Sequence, residues 1–253
     1  MSITQKIKLA YEFTQLRRHF LQYFEVVPAL TEDLVKEAQK IRHEVYCKEL
    51  GWESEKKDGL ETDAYDAHAL HCLLKSVKTG KFIGCIRLVL PSHTEQEPML
   101  PFQKACDFRL KTGHPNPVEL ANDTTAEVSR LAIIATYRRR KNEQGCPVAI
   151  SDSDYGSDER RKFPYIPVGL YLGMLHMAFA QGIHNLYFLT EPHLARHFSR
   201  LGGKLEPVGE AIDHRGLRIP YRMNVREVLR GIHLLIRPLK KVIEQEVAGQ
   251  LQS

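Results

Sequence analysis

The sequence is poor in cysteine and contains no C-x-x-C pair. Its five cysteines are spread widely over 253 residues, at Cys47, Cys72, Cys85, Cys106 and Cys146. An odd number at such spacing argues against a disulfide framework and against a zinc ribbon, and it favours a reducing compartment. We therefore expect a cytoplasmic protein that holds no metal.

Long apolar runs and a one-sided charge are also lacking. No window approaches the roughly 18 apolar residues that span a bilayer, and the first 20 residues lack the apolar core of a signal peptide. Against 31 acidic residues stand 36 Lys and Arg, a net charge of +5 that is too small for a nucleic-acid-binding tail. A clustered excess would nevertheless attract an acidic partner. We expect no transmembrane segment and no nucleic-acid partner.

The sequence does contain helical and strand periodicities that alternate along the chain. They predict helices over 4–24, 31–50, 167–181, 193–201 and 225–247, with a kink at Pro238 and a short helix near 102–108. Strands are predicted over 23–29, 69–77, 81–90, 124–136 and 185–190, followed by a hairpin through 222 that turns at 213–216. An antiparallel meander with one crossover pair indicates an α/β (α+β) fold, with a mixed sheet and helices on both faces. We expect one domain over 1–253, with a core over 23–225 and an insertion at 137–165.

Three segments place charged or aromatic residues at structured positions. Arg42, Tyr46 and Trp52 follow one helix and its exit, Glu61, Asp63 and Asp66 follow a turn-like stretch, and Arg87, Glu127 and Arg130 lie in apolar strands. Charges in such places need partners.

Glu127 and Arg130 are three residues apart, so a regular strand would point them to opposite faces. Only a β-bulge between them would let both reach one site. A bulge in a central strand opens a gap in the ladder, and that gap could accept the amides of an extended ligand.

Four motifs together resemble a known group of enzymes. R-x-x-x-Y-x-x-x-L-G-W, E-x-D-x-Y-D, G-x-x-R-L-x-x-P and E-x-S-R-L-A-I occur in this order between 42 and 136. They are similar to the acyl-homoserine-lactone synthases and, more closely, to the N-acyl amino acid synthases of the GNAT superfamily, in particular the subgroup associated with exosortase loci. The resemblance implies transfer of a long acyl chain from acyl carrier protein to an amine.

The resemblance also implies roles for single residues. Arg42, Tyr46, Trp52, Asp63, Asp66 and Arg87 would shape the acceptor pocket, and Glu127 and Arg130 would be catalytic. Amide formation needs a deprotonated amine, for which Glu127 is the candidate base, directly or through a water. Phenylalanine is usual in the lactone synthases where Tyr46 stands, which leaves the acceptor open.

The donor is expected to be the acyl-phosphopantetheine of acyl carrier protein, without a tightly bound cofactor. The acetyl-coenzyme A branch of the superfamily has a glycine-rich pyrophosphate loop, whereas this chain has one glycine after Arg138, Arg139, Arg140 and Lys141. One glycine cannot form such a nest of close-approaching amides. The four basic residues instead suit an acidic carrier protein.

Each assignment has an alternative. The ion pairs would then only tie residues 53–66 to the sheet, and the apolar helix with Leu170, Leu172, Met174, Leu175 and Met177 would be core rather than an acyl-chain lining. The basic clusters at 138–141 and 160–162 would be solvated loop charges. The terminal helices would pack on the domain, pair subunits or lie on a membrane surface. Two other functions stay open, a homoserine-lactone-type synthase and a non-catalytic acyl- or partner-binding module.

Overall fold

The computed structural model describes residues 16–92, 100–106, 124–138 and 165–252. In chain order its elements are α1 (16–23), β1 (Phe24–Pro28), α2 (Glu32–Arg42), β2 (Ala69–Ser76), β3 (Phe82–Val89), α3 (Pro101–Ala105), β4 (Thr125–Ile133), α4 (Tyr165–Ala180), β5 (Asn185–Thr190), α5 (Pro192–Arg200), β6 (Glu206–Pro207), β7 (Ile212–Asp213), β8 (Leu217–Asn224), α6 (Val225–Gly231) and α7 (Arg237–Leu251). Helix α2 continues as a π-helical segment, His43–Glu49, and a 3₁₀ helix spans Ala64–His68. The bounds agree closely with the predicted pattern.

The strands form one mixed sheet in the order β1-β2-β3-β4-β5-β8-β6, with β7 paired to β8. Strands β4 and β5 are parallel, and the other pairs are antiparallel. Strand β4 lies in the middle of the order. The predicted α/β class, the central position of β4 and its parallel crossover partner are confirmed.

Strand β4 carries the bulge that the spacing of Glu127 and Arg130 requires. Its register against β3 passes from Ser129 opposite Arg87 to Ala132 opposite Cys85, so β4 has one residue more than its partner. Arg130 has a left-handed backbone, with φ of 54°. On its other side, β4 pairs with β5 only over Thr125–Glu127. The two strands part beyond Glu127 and leave a gap on the β5 side of β4, opposite to the side that carries the bulge.

Helices cover both faces of the sheet. Helix α2 packs Ala38 and Ile41 on one face, against Leu73 and Cys85. Helix α4 is apolar on all sides because it lies between the opposite face and α7. A Cβ atom at Gly173 of α4 would stand 2.6 Å from a Val26 methyl carbon, so glycine is what lets this helix approach β1 so closely.

The C-terminal prediction was wrong in one respect. The single helix over 225–247 is two helices, α6 and α7, joined by a 3₁₀ turn at Leu234–Ile236. Pro238 lies in the first turn of α7 and produces no kink, because a first-turn residue needs no intrahelical N–H partner. Within the described ranges, no helix is long and apolar enough to cross a membrane.

Other predictions fall partly outside the described residues. The N-terminal helix is seen only from 16 onward, and the insertion at 137–165 only at its two ends. Strand β4 ends at Ile133, three residues before the predicted end, and a 3₁₀ turn follows over Ala135–Tyr137.

Candidate active site

A cavity of about 290 Å³ opens where β4 and β5 part. Part of its lining is polar and comes from the loop after α2, from β3 and β4 and from the β7–β8 turn; it consists of Trp52, Glu53, Asp63, Arg87, Glu127, Ser129, Arg130, His214, Arg215 and Arg218. The other part is apolar and comes mainly from α3, α4, α5 and β5, including Phe102, Tyr171, Met174, Phe188, Leu194 and Phe198. The cavity therefore joins a charged region to an apolar region.

Arg42, the last residue of α2, is fully buried. Its Nε atom donates to Glu61, and its two Nη atoms donate to Asp66 at 2.6 and 3.1 Å. Neither Arg42 nor Asp66 lines the cavity. These two residues hold the segment 61–66 against the sheet, so their direct influence is on the shape of the pocket.

Arg87 extends the same network into the cavity wall. Its Nη1 atom donates to Asp63 at 2.7 Å and to Asp66 at 2.8 Å, and its Nε atom donates to Ser129 Oγ at 3.1 Å. The side chain is 1% exposed. As expected from strand alternation, a buried arginine in an apolar strand has found carboxylate partners.

Arg130 completes the network from the bulge. Its Nη2 atom lies 3.0 Å from Glu61 and 3.3 Å from Asp63, and its guanidinium group lies 5.5 Å from the Tyr46 ring centre. Three arginines and three acids thus form one connected cluster, in which Glu61 takes part although it was not among the predicted site residues. Its place in the second motif was the signal.

The acids of this cluster are held ionised. Burial alone would raise the pKa of Asp66, but the hydrogen bonds and charges of Arg42 and Arg87 outweigh it and keep that pKa far below its ordinary value. The pKa of Asp63 is lowered in the same way, chiefly by Arg87 once burial is overcome. The two acids also cap the 3₁₀ helix Ala64–His68, which fixes their positions on the chain.

Glu127 stands apart from the cluster, at the last residue pair that β4 shares with β5. Its side chain is buried and accepts a 2.7 Å hydrogen bond from the backbone N–H of Phe102 in α3. Burial raises the pKa of Glu127 to about 8, although the Phe102 hydrogen bond, Arg87 and Arg130 oppose the shift. A carboxyl group with this pKa can exchange a proton near neutral pH.

Tyr46 and Trp52 form one wall of the cavity. Their ring centres are 5.9 Å apart in a stacked arrangement, and the Tyr46 hydroxyl donates to the backbone oxygen of Leu131 at 3.1 Å. That oxygen belongs to the bulged part of β4. The aromatic wall is therefore fixed to the strand that carries Glu127 and Arg130.

The β7–β8 turn is the part of the site that the sequence did not reveal. Arg215 donates to the backbone oxygen of Trp52 at 3.0 Å and to Glu53 at 2.8 Å, and Arg218 lies 5.6 Å from the Trp52 ring centre. These partners are about 160 positions apart in the chain, and the turn carries no motif that would have connected them.

Two sets of predicted residues fit the cavity only in part. Of the five apolar residues named on the helix after Pro167, Met174 lines it, whereas Leu170, Leu172, Leu175 and Met177 belong to the core. Of the basic cluster, Arg138 is paired with Glu49, and its side chain is largely buried. Residues 139–141 lie outside the described ranges.

The sequence of the chain was compared with protein-family models and with known proteins. Residues 41–146 match the model of the acetyltransferase (GNAT) domain. Two acyl-homoserine-lactone synthases, from Aeromonas salmonicida and Aeromonas hydrophila, are 27% and 28% identical over 199 and 201 residues; each match covers 77% of this chain and 83% of the relative.

Solved structures of such enzymes share the fold. The acyl-homoserine-lactone synthase LasI superposes with a TM-score of 0.56 at 17% identity, covering 84% of this chain and 98% of its own. BjaI, a CoA-dependent acyl-homoserine-lactone synthase solved with SAM and isopentyl-CoA, gives 0.56 at 17%, covering 91% and 99%. FeeM, an N-acyl amino acid synthase from uncultured soil microbes, gives 0.51 at 16%, covering 84% and 96%.

The matched domain spans the network, the bulge and Glu127, and the shared fold extends over most of the chain. The chain is therefore an acyltransferase in which residues 41–146 match the GNAT domain, and its sequence is similar to those of acyl-homoserine-lactone synthases.

Proposed function

We propose that the protein transfers a long acyl chain from acyl carrier protein to the amine of an amino acid. The observation that carries this proposal is the single cavity in which Glu127 lies between a charged lining and an apolar lining. A charged region suits a small polar acceptor, and an apolar region suits an acyl chain. The likeness to FeeM, an N-acyl amino acid synthase, supports the same choice of acceptor.

The parting of β4 and β5 supplies a place for the thioester donor. In the described part of the chain, β4 has no strand partner on its β5 side after Glu127, so its backbone groups there face the cavity region. A pantetheine arm carries amides that can pair with such groups as an added strand would. Backbone N–H groups at the gap would also polarise the thioester oxygen.

Glu127 would act as the base in this reaction. Burial raises the pKa of Glu127 to about 8, which makes its carboxylate a much stronger base than an ordinary glutamate. The ammonium group of a free amino acid has a pKa above the roughly 7.7 to 8.0 of a peptide α-amino group, because its own carboxylate stabilises the charge, and the raised pKa of Glu127 reduces the cost of taking its proton. The free amine attacks the thioester carbon, a C–N bond forms and the C–S bond breaks. The attacking nitrogen loses a second proton as the amide forms. One of the two protons goes to the departing thiolate and the other to water, which leaves an amide, a thiol and the ionised Glu127.

Arg130 and Arg87 would assist without bonding to the transferred proton. Each contributes positive charge beside Glu127, since both oppose the rise in its pKa. Each is also fixed by carboxylates of the 61–66 segment, at distances from 2.7 to 3.3 Å. This arrangement gives a preorganised positive field at the place where negative charge develops on the thioester oxygen.

The apolar part of the cavity would hold the acyl chain. Tyr171 and Phe198 stack with ring centres 4.5 Å apart, and Met174 and Phe188 complete a dry wall in the same core cluster. The carrier-docking role of Arg138, Arg139, Arg140 and Lys141 stays a prediction from sequence, as does the association with exosortase loci.

A homoserine-lactone-type synthase is the second candidate, because the Aeromonas relatives have that activity. The two functions differ in the acceptor, which is a free amino acid in the first and S-adenosylmethionine in the second. The same cavity would serve either.

One experiment separates these outcomes. Purified protein is incubated at about pH 8.5 with long-chain acyl carrier protein and, in separate vessels, with acyl-coenzyme A, each with pooled amino acids or with S-adenosylmethionine. Acylated products are identified by mass spectrometry. We expect N-acyl amino acids from the carrier-protein donor. Acyl-homoserine lactone would support the second candidate, and products from acyl-coenzyme A alone would contradict the proposed donor.

A further inference from the structure

The β7–β8 turn and the first residues of β8 bring two arginines to the polar part of the cavity, where the reaction described above gives them no role. Arg215 and Arg218 both line the cavity and both lie over the Trp52 ring, 5.5 and 5.6 Å from its centre. Arg215 has a left-handed backbone, with φ of 57°, and Gly216 follows with φ of 99°. This tight turn directs both side chains back toward the loop that follows α2.

Arg215 fastens the turn to that loop. All of its hydrogen bonds to described residues come from Nη2, which donates to the Trp52 backbone oxygen and to Glu53. The bonds close the polar part of the cavity between two segments that are distant in sequence. Arg215 is therefore a positioning residue that holds the turn in place.

Arg218 differs from the arginines of the buried network. Its Nε atom donates to the backbone oxygen of His214 at 2.7 Å, which fixes the guanidinium plane. The nearest described carboxylate, Glu191, is 3.6 Å from its Nη2 atom, beyond a hydrogen bond. Arg42, Arg87 and Arg130 each have a carboxylate within 3.0 Å.

Arg218 is largely buried, so the lack of a closely bound carboxylate costs free energy. Its side chain is only 14% exposed. A cation that has lost most of its water needs close anionic partners to recover the cost of desolvation, and the long ion pair with Glu191 at 3.6 Å leaves the Nη donors of Arg218 without a hydrogen-bonded carboxylate. A guanidinium group with free Nη donors is the natural ligand for a carboxylate.

The pKa of His214, a residue of the same turn, indicates a positive electrostatic potential in this part of the cavity. Burial lowers the pKa of His214, and Arg215, Arg218 and Arg130 lower it further. Of the described acids nearby, Glu53 binds Arg215 and Asp63 binds Arg87, and Glu191, the ion-pair partner of Arg218 at 3.6 Å, also lies 3.1 Å from His193.

We propose that Arg218 binds the carboxylate of the acceptor, with Arg215 holding the turn in place, and that the acceptors are therefore amines that carry a free carboxylate. This inference rests on the proposed function and names the residue that recognises the carboxylate of its acceptor. It assigns to the β7–β8 turn the choice of acceptor, whereas Glu127 and the network perform the transfer.

The test compares matched acceptors that differ only in the carboxylate, namely phenylalanine, phenylalaninamide and phenethylamine, with one long-chain acyl carrier protein as donor. We expect wild type to prefer the acid over the amide. Arg218→Ala should raise the KM for the acid by roughly 10- to 100-fold, the worth of a charge-assisted hydrogen bond, and leave the KM for the amide nearly unchanged. Arg218→Lys should restore part of the preference, because a lysine keeps the charge but not the planar fork.

Arg222→Ala is the matched control. Arg222 lies on the same strand, two turns of the pleat further along, and is bound to Asn185 away from the cavity lining. Its replacement should leave the acid-to-amide ratio as in wild type. Equal effects of Arg218→Ala on acid and amide, or a wild-type enzyme indifferent to the carboxylate, would overturn the inference. If no amine is acylated in any vessel, the proposed function itself fails.

Discussion

The replacement Glu127→Gln should make the protein more stable and remove its activity. Burial of Glu127 raises its pKa from the ordinary 4.5 to about 8. Between these values the folded protein holds a proton that the unfolded chain has released, so the free energy of unfolding falls as pH rises. Each pH unit in the interval is worth about 1.4 kcal/mol. Glutamine stays neutral and is spared this loss.

The magnitude follows from the width of the interval. The stability difference between Glu127→Gln and wild type should be near zero at pH 4.5, about 3 kcal/mol at pH 7 and about 5 kcal/mol above pH 8. Glutamine also keeps an oxygen for the Phe102 N–H. The assay is chemical denaturation at five pH values, with the free energy of unfolding compared between the two proteins.

Activity should move in the opposite direction. For wild type, kcat/KM should rise with pH and reach a plateau above about 8, as Glu127 ionises. Glu127→Gln should reduce turnover by roughly 10²- to 10⁴-fold, the usual worth of a general base, with donor binding retained.

Glu25→Gln is the control for stability, because Glu25 is a half-exposed residue of β1 whose side chain pairs with Lys75 at 3.5 Å. Its replacement should change stability by less than about 1 kcal/mol at every pH. Stability curves for wild type and Glu127→Gln that run parallel with pH would refute the raised pKa, and full activity of the variant would remove Glu127 from its proposed role.

Two further predictions concern the network and the acyl lining. Arg42→Ala should destabilise the fold by roughly 3 to 5 kcal/mol in urea denaturation, because it removes one of the two arginines that pair with each of the buried carboxylates of Glu61 and Asp66, whereas Arg222→Ala, at a half-buried residue, should cost less than about 1 kcal/mol. A small effect of Arg42→Ala would show that the network is not structural. Met174→Trp should fill the apolar part of the cavity and shift the preferred donor to shorter acyl chains in a chain-length series. An unchanged length preference in a folded Met174→Trp variant would place the acyl chain elsewhere.

The bulge in β4 illustrates what could be predicted from sequence. Glu127 and Arg130 are three apart in a strand that alternates with period two, so a shared site demanded an extra residue between them. The register against β3 shows that residue, and Arg130 has the left-handed backbone that accompanies it. Local spacing was sufficient here because a strand offers few ways to satisfy the requirement.

Pro238 illustrates the limit of the same kind of reasoning. A proline inside a helical pattern either kinks a helix or begins one, and both cases have the same local signature. The choice was made by packing, since Ile232 and Ile236 are buried in the main core and interrupt the helix before Arg237. The start of a new helix at Arg237 therefore depended on contacts of Ile232 and Ile236 with other elements, which the local sequence does not show.

What the sequence determined by itself was the order of elements, the mixed sheet and the charged residues of the first three motifs, because these depend on short-range periodicity and on the cost of burying unpaired charge. What only the tertiary structure decided was which of those charges face the cavity. Arg42 and Asp66 lie behind it, whereas Arg215 and Arg218 reach it from the far end of the chain. The β7–β8 turn meets Trp52 because β8 pairs with β5, and no local pattern encodes a contact across that distance in sequence.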